Sequence, residues 1–252
     1  MQLRDKVVVI TGAGSGIGEA CAYRFAGEGA KVVVTDKNPE GIERVCKAVD
    51  TVGLACDITV EENVRAVADL ARQTYGDVDI WFSNAGYTGP AQHGSIADDE
   101  LWDVSWRLHV MSHVYAVREV LPAMLARGEG YLLQTASIVA LALHPDKPAY
   151  SVTKKAALGF SEWLAATYRP RGIKVSCFCP GPMLTPMLLA DGMPTDHPIM
   201  QNAATPAQVA DRLVHAIDAE RFLILDSTLG QELLSAKATD YEEWIVAMEQ
   251  TT

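Results

Sequence analysis

A strand, a glycine-rich turn, a helix and a second strand occupy the first 36 residues of the chain, and this unit restricts the possible folds. The β-branched run from Lys6 to Thr11 predicts a buried strand that stops at Gly12. Helical periodicity follows from Glu19 to Gly29, and a glycine there is typical of a helix end. A second β-branched run, from Lys31 to Asp36, completes a βαβ unit, which places both strands in a parallel sheet.

The alternation of strand and helix patterns continues along the rest of the chain. Seven strands that alternate with helices predict a Rossmann-type, doubly wound α/β fold, with a parallel seven-stranded sheet between two layers of helices (α/β/α) in one domain over residues 1–252. Ligands bind such sheets at the carboxyl ends of the strands. The further predicted strands are 53–56, 78–82, 130–137, 173–178 and 221–225, and the further predicted helices are 40–49, 61–75, a long helix within 98–127, 149–168, 206–219 and one or two within 231–250.

Composition and charge narrow the classes of partner. The formal net charge is −11 and the pI is about 5.0, which argues against nucleic acid and anionic membranes as ligands. The five cysteines are odd in number and lie mostly in apolar segments, so we expect reduced thiols in a cytoplasmic protein. The N-terminus has no signal-peptide pattern, and no apolar run reaches the roughly 18 residues of a membrane helix. His144 and His197 lack the spacing of metal ligands, so no metal site is expected.

Tyr150 and Lys154 lie four residues apart in a predicted helix, so their side chains share one face. A nearby ammonium favours phenolate and therefore lowers the pKa of a tyrosine. Moving that pKa from about 10 to near neutrality requires roughly 4 kcal/mol from the surroundings. Such a tyrosine can exchange a proton with a carbonyl or alcohol oxygen. The alternative for the pair alone is an ordinary surface pair on a helix, and only further motifs separate the two readings.

Glycines at positions 12, 14, 16 and 18 follow the first strand and open the first helix. Such a turn lets the backbone approach a pyrophosphate, whose charge the helix N-terminus stabilises, whereas the alternative is a flexible loop without a ligand. Asp36, at the end of the second strand, can accept hydrogen bonds from the adenosine ribose and repel a 2′-phosphate. This predicts NAD over NADP, although the adjacent Lys37 offsets part of the repulsion and Asp36 alone is also a common turn residue.

These motifs together resemble the short-chain dehydrogenase/reductase family, over about residues 4–190. The turn from Thr11 to Gly18 is similar to the family's cofactor loop, Ser83-Asn84-Ala85-Gly86 to a strand end of the family, and Pro180–Thr185 to its nicotinamide-contacting segment. The resemblance also implies that Asp57, taken as the end of the third strand, contacts adenine. The implied cofactor-binding residues are Gly12, Ser15, Gly16, Ile17, Gly18, Asp36, Asp57, Ile58, Asn84, Ala85, Gly86, Tyr150, Lys154, Pro180, Gly181 and Thr185.

The resemblance implies hydride transfer between a carbinol or carbonyl carbon and a nicotinamide, with Tyr150 as general acid/base. Lys154 would lower the pKa of Tyr150 and hold the ribose hydroxyls. Ser137, thirteen residues before Tyr150, would donate a hydrogen bond to the substrate oxygen. The predicted function is therefore NAD-dependent interconversion of a secondary alcohol and a ketone. The competing hypotheses are a non-catalytic dinucleotide-binding sensor or scaffold on the same fold, and an epimerase or dehydratase, which usually has a longer chain.

His109 departs from the family pattern, because it occupies the position of a catalytic asparagine in the long helix. One hypothesis gives His109 that role in the proton relay, and the alternative is a packing histidine. The tail over residues 226–252 also departs from the family. We expect a homodimer or homotetramer, with Trp244 and Ile245 at a partner surface unless the tail packs on its own subunit.

The loop over residues 182–205 is expected to cover the substrate. Its methionines and leucines predict an adaptable apolar wall, which suits a medium-sized, largely apolar alcohol or ketone. The predicted substrate residues are Ser137, Tyr150, Met183, Met187 and His144, with Trp106, His93, Leu141 and Leu143 as further candidates, and the alternative is that the loop residues only pack a lid helix.

Overall fold

Short β-branched runs form the strands of a central sheet. The computed structural model describes residues 1–190, 203–225 and 227–249. Within them the sheet has seven parallel strands in the order β3-β2-β1-β4-β5-β6-β7, which confirms the predicted doubly wound α/β fold. The strands are β1 (Val7–Thr11), β2 (Lys31–Asp36), β3 (Val52–Ala55), β4 (Ile80–Ser83), β5 (Gly130–Thr135), β6 (Ile173–Cys179) and β7 (Leu223–Leu225).

Helices connect the strands and cover both faces of the sheet. Several begin at capping residues that the sequence makes visible: Asn38 accepts from the backbone N–H groups of Glu40 and Gly41, and Thr205 forms a capping box with Gln208. The helices are α1 (Gly16–Gly27), α2 (Pro39–Val49), α3 (Glu61–Thr74), α4 (Asp99–Trp106), α5 (Ser112–Arg127), α6 (Pro148–Tyr168), α7 (Pro186–Ala190), α8 (Pro206–Asp218), α9 (Thr228–Thr239) and α10 (Tyr241–Glu249).

Two apolar layers lie on opposite faces of the sheet, because successive strand side chains point to opposite sides. Val8 and Ile10 pack with residues of α1, α2 and α8, including Phe25. Val7 and Val9 pack with residues of α3, α5 and α6. The central strands β1, β4 and β5 are buried along their whole length on both faces, which explains why they are near-continuous apolar runs.

The strand order reverses beside β1, whose neighbours are β2 and β4. In doubly wound sheets a crevice opens at this point, outside the carboxyl ends of the strands. The glycine turn after β1 and the segment after β4 therefore meet there. The fold places the candidate site at this edge.

Several predicted boundaries differ from those of the structure. β3 ends at Ala55, so Asp57 lies two residues beyond the strand. β5 ends at Thr135, so Ser137 lies after the strand, where its Oγ accepts from the Val139 N–H and caps a 3₁₀ turn. The predicted long helix is interrupted by a π-helical turn, Arg107–Met111, between α4 and α5. The predicted loop over 182–205 contains α7, and its residues 191–202 lie outside the described residues.

The C-terminal tail packs on its own chain in the part that the structure describes. Trp244 is only 4% exposed and packs with Ala142 and Met248, so the expectation of Trp244 at a partner surface is wrong for this residue. Ile245 is 37% exposed. Residues 226 and 250–252 of the predicted tail lie outside the described residues.

Three further observations concern the cysteines, membrane-spanning helices and metal sites. All five cysteines are free thiols. Among the described residues, no helix has the length and apolar character needed to cross a bilayer. Nor do those residues bring together three His, Cys, Asp or Glu side chains in a group able to hold a metal ion.

Candidate active site

An open cleft of about 790 Å³ lies at the carboxyl edge of the sheet. It is lined by the segments that follow β1 to β6, which brings together residues from the whole length of the sequence. The predicted cofactor residues that line it are Gly12, Ser15, Gly16, Ile17, Asp36, Asp57, Ile58, Asn84, Ala85, Gly86, Tyr150, Lys154, Pro180, Gly181 and Thr185. Gly18 is the one predicted cofactor residue that does not line the cleft.

The glycine turn forms a tight cradle against the end of β4. Gly12 has φ +65°, and a Cβ there would lie 2.7 Å from the Ala85 Cα. A Cβ on Gly18 would lie 2.2 Å from the Gly12 carbonyl oxygen, so Gly18 permits close packing inside the turn. The exposed Ser15 precedes α1 and makes no side-chain cap, which leaves the first N–H groups of the helix for an anion in the cleft.

Asp36 lies at one end of the cleft and has protein partners that the sequence did not indicate. One carboxylate oxygen accepts from the Gly14 N–H at 3.0 Å, and the other accepts from the Asn38 N–H at 2.9 Å. A Cβ on Gly14 would lie 2.9 Å from the Asp36 Cγ, so a larger residue at position 14 would displace this carboxylate. The carboxylate is therefore fixed in place beside the glycine turn, and the exposed Lys37 follows it.

Ser137, Tyr150 and Lys154 all line the cleft, although they come from a turn and a distant helix. The Lys154 side chain is buried, and its Nζ donates to the Thr135 carbonyl at 3.0 Å and lies 5.8 Å from the centre of the Tyr150 ring. Burial lowers the pKa of Lys154 to about 8. The chemistry available to this group is proton exchange at Tyr150 and hydrogen-bond donation from Ser137.

His109 lies behind the cleft rather than in its wall, and it is fully buried in the π-helical turn. Its Nε2 accepts from the Tyr87 backbone N–H at 3.2 Å, so the ring proton is on Nδ1. Nδ1 donates to Thr153 Oγ1 at 2.8 Å, and that hydroxyl in turn donates to the Ala149 carbonyl at 2.7 Å. The ring also packs edge-on against Tyr150, with 5.5 Å between ring centres. These contacts favour the packing role over the proton relay.

Acid is expected to destabilise the protein through His109 and His113. Burial lowers the pKa of His109 well below its usual value, and that of His113 to about 3, with the Lys154 ammonium adding to both shifts. The folded pKa values lie below those of the unfolded chain, so the unfolded state binds more protons below pH 6.5 and stability falls as the pH drops. Each histidine should cost about 2 kcal/mol of unfolding free energy between pH 7.5 and pH 5. Urea unfolding at the two pH values measures this loss.

The variant His109→Asn tests two hypotheses together: that His109 is buried in its neutral form, and that it takes part in the proton relay. It should lose about half as much stability as the wild type between pH 7.5 and pH 5, since one of the two buried histidines is gone. Turnover within a few-fold of the wild type fits a packing role, whereas a large loss with an unchanged fold supports the relay. An unchanged pH dependence of stability would contradict the buried neutral histidine.

The cleft also contains some of the predicted substrate residues. Ser137, Tyr150, Met183 and Met187 line the cleft, whereas His144 does not, and neither do Trp106, His93, Leu141 and Leu143. Leu188, one of the leucines of the predicted apolar wall, also lines the cleft. The lining residues that the sequence did not indicate are Cys56, Thr59, Tyr87, Thr88, Gly89, Pro90, Val104, Leu108, Thr135, Ala136 and Pro186. Tyr87–Pro90 directly continue the segment after β4, and that continuity is the signal that could have found them.

Comparisons with known proteins agree with this geometry. The family described as short chain dehydrogenase matches residues 6–192. An uncharacterized oxidoreductase of Staphylococcus aureus is 33% identical over 218 residues, which are 85% of this chain and 92% of that protein. A short chain dehydrogenase/reductase from Burkholderia phymatum, solved with NAD, superimposes with a TM-score of 0.86 at 27% identity and covers 96% of each chain. L-Sorbose reductase from Gluconobacter frateurii, solved with NADPH and L-sorbose, superimposes with a TM-score of 0.80 at 30% identity. The match covers 89% of this chain and 97% of that one.

Proposed function

This chain belongs to the short chain dehydrogenase family, and from that premise we propose that it is an NAD-dependent oxidoreductase that interconverts a secondary alcohol and a ketone. The observation that carries the proposal is the meeting of Ser137, Tyr150 and Lys154 in one cleft with the glycine turn. A phenol, an ammonium and a hydroxyl beside a dinucleotide cradle suit hydride transfer coupled to proton transfer at oxygen.

A nicotinamide dinucleotide fits the residues of the cleft, and it would supply the acceptor or donor of the hydride. The solved relatives that hold NAD and NADPH support this class of cofactor. The glycine turn and the N-terminus of α1 would hold the pyrophosphate. Asp57 lines the cleft and would contact the adenine. Thr185 also lines it, with its Cγ2 3.3 Å from the Cβ position of Gly16, and would contact the nicotinamide carboxamide.

Three side chains of this protein carry the proton and the developing charge. Tyr150 gives its proton to the substrate oxygen during ketone reduction and takes it back during alcohol oxidation. The Lys154 ammonium, held by the Thr135 carbonyl, favours the phenolate and so makes the proton transfer easier. The Ser137 hydroxyl donates a hydrogen bond to the same substrate oxygen and stabilises its charge in the transition state.

NAD rather than NADP is the proposed cofactor, and Asp36 supports that choice. Its carboxylate is fixed beside the glycine turn, where a 2′-phosphate would meet a negative charge. Lys37 is exposed and adjacent, and it offsets part of this repulsion.

The lining of the cleft supports a largely apolar substrate of medium size. Met183, Met187, Val104, Leu108 and Leu188 all line the cleft, and they would form the apolar wall around the substrate. The charged side chains among the described lining residues are those of Asp36, Lys37, Asp57 and Lys154, all assigned above to the cofactor or to catalysis. The substrate therefore carries no carboxylate or phosphate that needs a charged partner in this part of the cleft.

Turnover of secondary alcohols tests the proposal. Purified protein would be mixed with NAD or NADP and a panel of aliphatic, cyclic and aromatic secondary alcohols, and with the corresponding ketones and reduced cofactor, while the absorbance of the reduced nicotinamide is followed. We expect turnover with NAD that depends on Tyr150. Tight binding of NAD without turnover in either direction would instead support the sensor or scaffold hypothesis.

We also propose that the protein is a cytoplasmic homodimer or homotetramer. The outer face of α6 supports association, because Trp163 is 54% exposed and Val152 is 47% exposed there. Sedimentation velocity at micromolar concentration checks the oligomeric state, and a monomer mass would contradict this part of the proposal.

A further inference from the structure

Lys155, on α6, gives all three of its ammonium donors to the turn that follows Ser137. Its Nζ donates to the carbonyl oxygens of Val139 at 3.2 Å and Ala140 at 3.3 Å, and also to that of Ala142. A lysine ammonium has three donors, so these contacts leave none for solvent. A flexible surface lysine loses considerable side-chain entropy when it is held in this way. The side chain is therefore committed to the turn.

Ser137 lies between two anchored backbone segments. On one side, Lys154 holds the Thr135 carbonyl at the end of β5. On the other side, Val139 joins Ser137 to the Lys155 ammonium: its N–H donates to Ser137 Oγ at 3.3 Å, and its carbonyl accepts from Lys155. Any displacement of the Val139 backbone therefore moves the hydrogen bond that its N–H donates to the Ser137 hydroxyl.

The C-terminal helix α10 covers this arrangement. The Lys155 Nζ lies 5.7 Å from the centre of the Trp244 ring, a distance at which an ammonium is attracted to the face of an indole. Trp244 is almost fully buried and packs with Ala142, whose carbonyl also accepts from Lys155. The Trp244 ring removes part of the water from around the half-buried Lys155 ammonium, which strengthens its contacts with the carbonyls. The tail thus covers the contacts between Lys155 and the turn after Ser137.

We propose that Lys155 is a positioning residue for Ser137, shielded by Trp244 of the C-terminal tail. The inference rests on the proposed function, because it assigns Lys155 to the placement of the hydroxyl that stabilises the substrate oxygen. A hydrogen-bond donor must be held within about 0.5 Å of its productive position to be effective in the transition state. Without the ammonium, the three carbonyls lose their common donor and the turn over residues 138–142 relaxes, while the cofactor end of the cleft is unaffected.

A double-mutant cycle separates positioning from general structural support. Ser137→Ala is expected to lower kcat by about 10²- to 10³-fold, as for the loss of an oxyanion donor. Lys155→Met, which keeps the length and apolar stem of the side chain, is expected to lower kcat about tenfold and leave the Kd for NAD within twofold. In the Ser137→Ala background the same substitution should cost less than twofold, because the hydroxyl that it positions is absent. The kcat of Lys155→Gln, whose side chain keeps two hydrogen-bond donors, should lie between that of the wild type and that of Lys155→Met.

Lys237→Met is the matched control. The Lys237 ammonium also lies over the Trp244 ring, at 4.7 Å, but among the described residues it donates to no carbonyl of the turn. This variant is expected to keep turnover within twofold of the wild type. An equal loss in the two lysine variants would overturn the proposal in favour of a general role of the tail.

Hydrogen exchange of the turn gives a readout that does not need turnover. The N–H groups of Ala140 and Leu141 bond within the turn, to Ser137 and Ile138, and they should exchange faster in Lys155→Met than in the wild type or Lys237→Met. If the wild-type protein turns over no alcohol or ketone, the proposed function fails. Faster exchange in Lys155→Met would even then show that Lys155 holds the turn in place.

Three results would each overturn the assignment of Lys155 as a positioning residue. Lys155→Met could leave hydrogen exchange unchanged, or it could speed up exchange without lowering kcat. It could also lower kcat by the full tenfold in the Ser137→Ala background.

Discussion

Replacement of Tyr150 by phenylalanine is expected to lower kcat by about 10²- to 10⁴-fold, the usual contribution of a positioned general acid or base. The phenol oxygen is the only atom removed, so the ring keeps its edge-on contact with His109 and its place beside Lys154. The Kd for NAD should therefore change by no more than a few-fold. Steady-state kinetics in both directions, together with cofactor binding followed by fluorescence, measure the two effects separately.

Tyr168→Phe provides the control on the same helix. Tyr168 is the last residue of α6, far along the helix from the cleft, and its ring packs edge-on against Trp163. The same loss of a phenol oxygen there should leave kcat within twofold. Turnover by Tyr150→Phe within tenfold of the wild type would remove Tyr150 from the proposed proton transfer, and the search for the acid would then move to other groups of the cleft.

The sequence predicts the architecture well, because the fold follows from local patterns. Runs such as Lys31–Asp36 are long enough and apolar enough to be read as buried parallel strands, and the glycine turn marks the first crossover. The exact strand ends escape prediction. Asp57 and Ser137 stand beyond their strands because polar side chains there bond to their own backbone, which residue pattern alone does not distinguish from a last strand residue.

Contacts between distant parts of the chain are what the sequence does not reveal. Nothing in the pattern around Lys155 distinguishes it from a surface lysine, because its carbonyl partners belong to the turn after β5 and Trp244 belongs to the tail. The π-helical turn at His109 is likewise set by tertiary bonds, to Tyr87 and Thr153. The spacing of Tyr150 and Lys154 places them on one helix face, and the resemblance to a family adds Ser137 and assigns the three proposed catalytic roles. The structure adds that all three line one cleft.

The charge of Asp36 is expected to set the cofactor preference, and Asp36→Asn removes it with little change of shape. Asparagine keeps an oxygen that can accept from the Gly14 N–H, so the glycine turn retains its contact with this side chain. A carboxylate about 4 Å from a 2′-phosphate charge costs roughly 1–4 kcal/mol at surface dielectrics. The ratio of kcat/KM for NADP to that for NAD should therefore rise at least about fivefold in the variant. Direct titration of both cofactors checks the same ratio without a substrate.

Asp57→Asn is the matched control for that change, because it removes a second carboxylate from the same cleft at the proposed adenine end. Both cofactors share their adenine, so this variant should weaken them equally and leave the ratio unchanged. Salt supplies an independent test: repulsion between charges in an open cleft is screened as ionic strength rises, and discrimination against NADP by the wild type should shrink between 0.05 and about 0.5 M salt. The Asp36→Asn variant should show little of this salt dependence. If neither the substitution nor the salt concentration changes the ratio of kcat/KM for NADP to that for NAD, the cofactor preference would arise from the shape of the cleft rather than from the Asp36 charge.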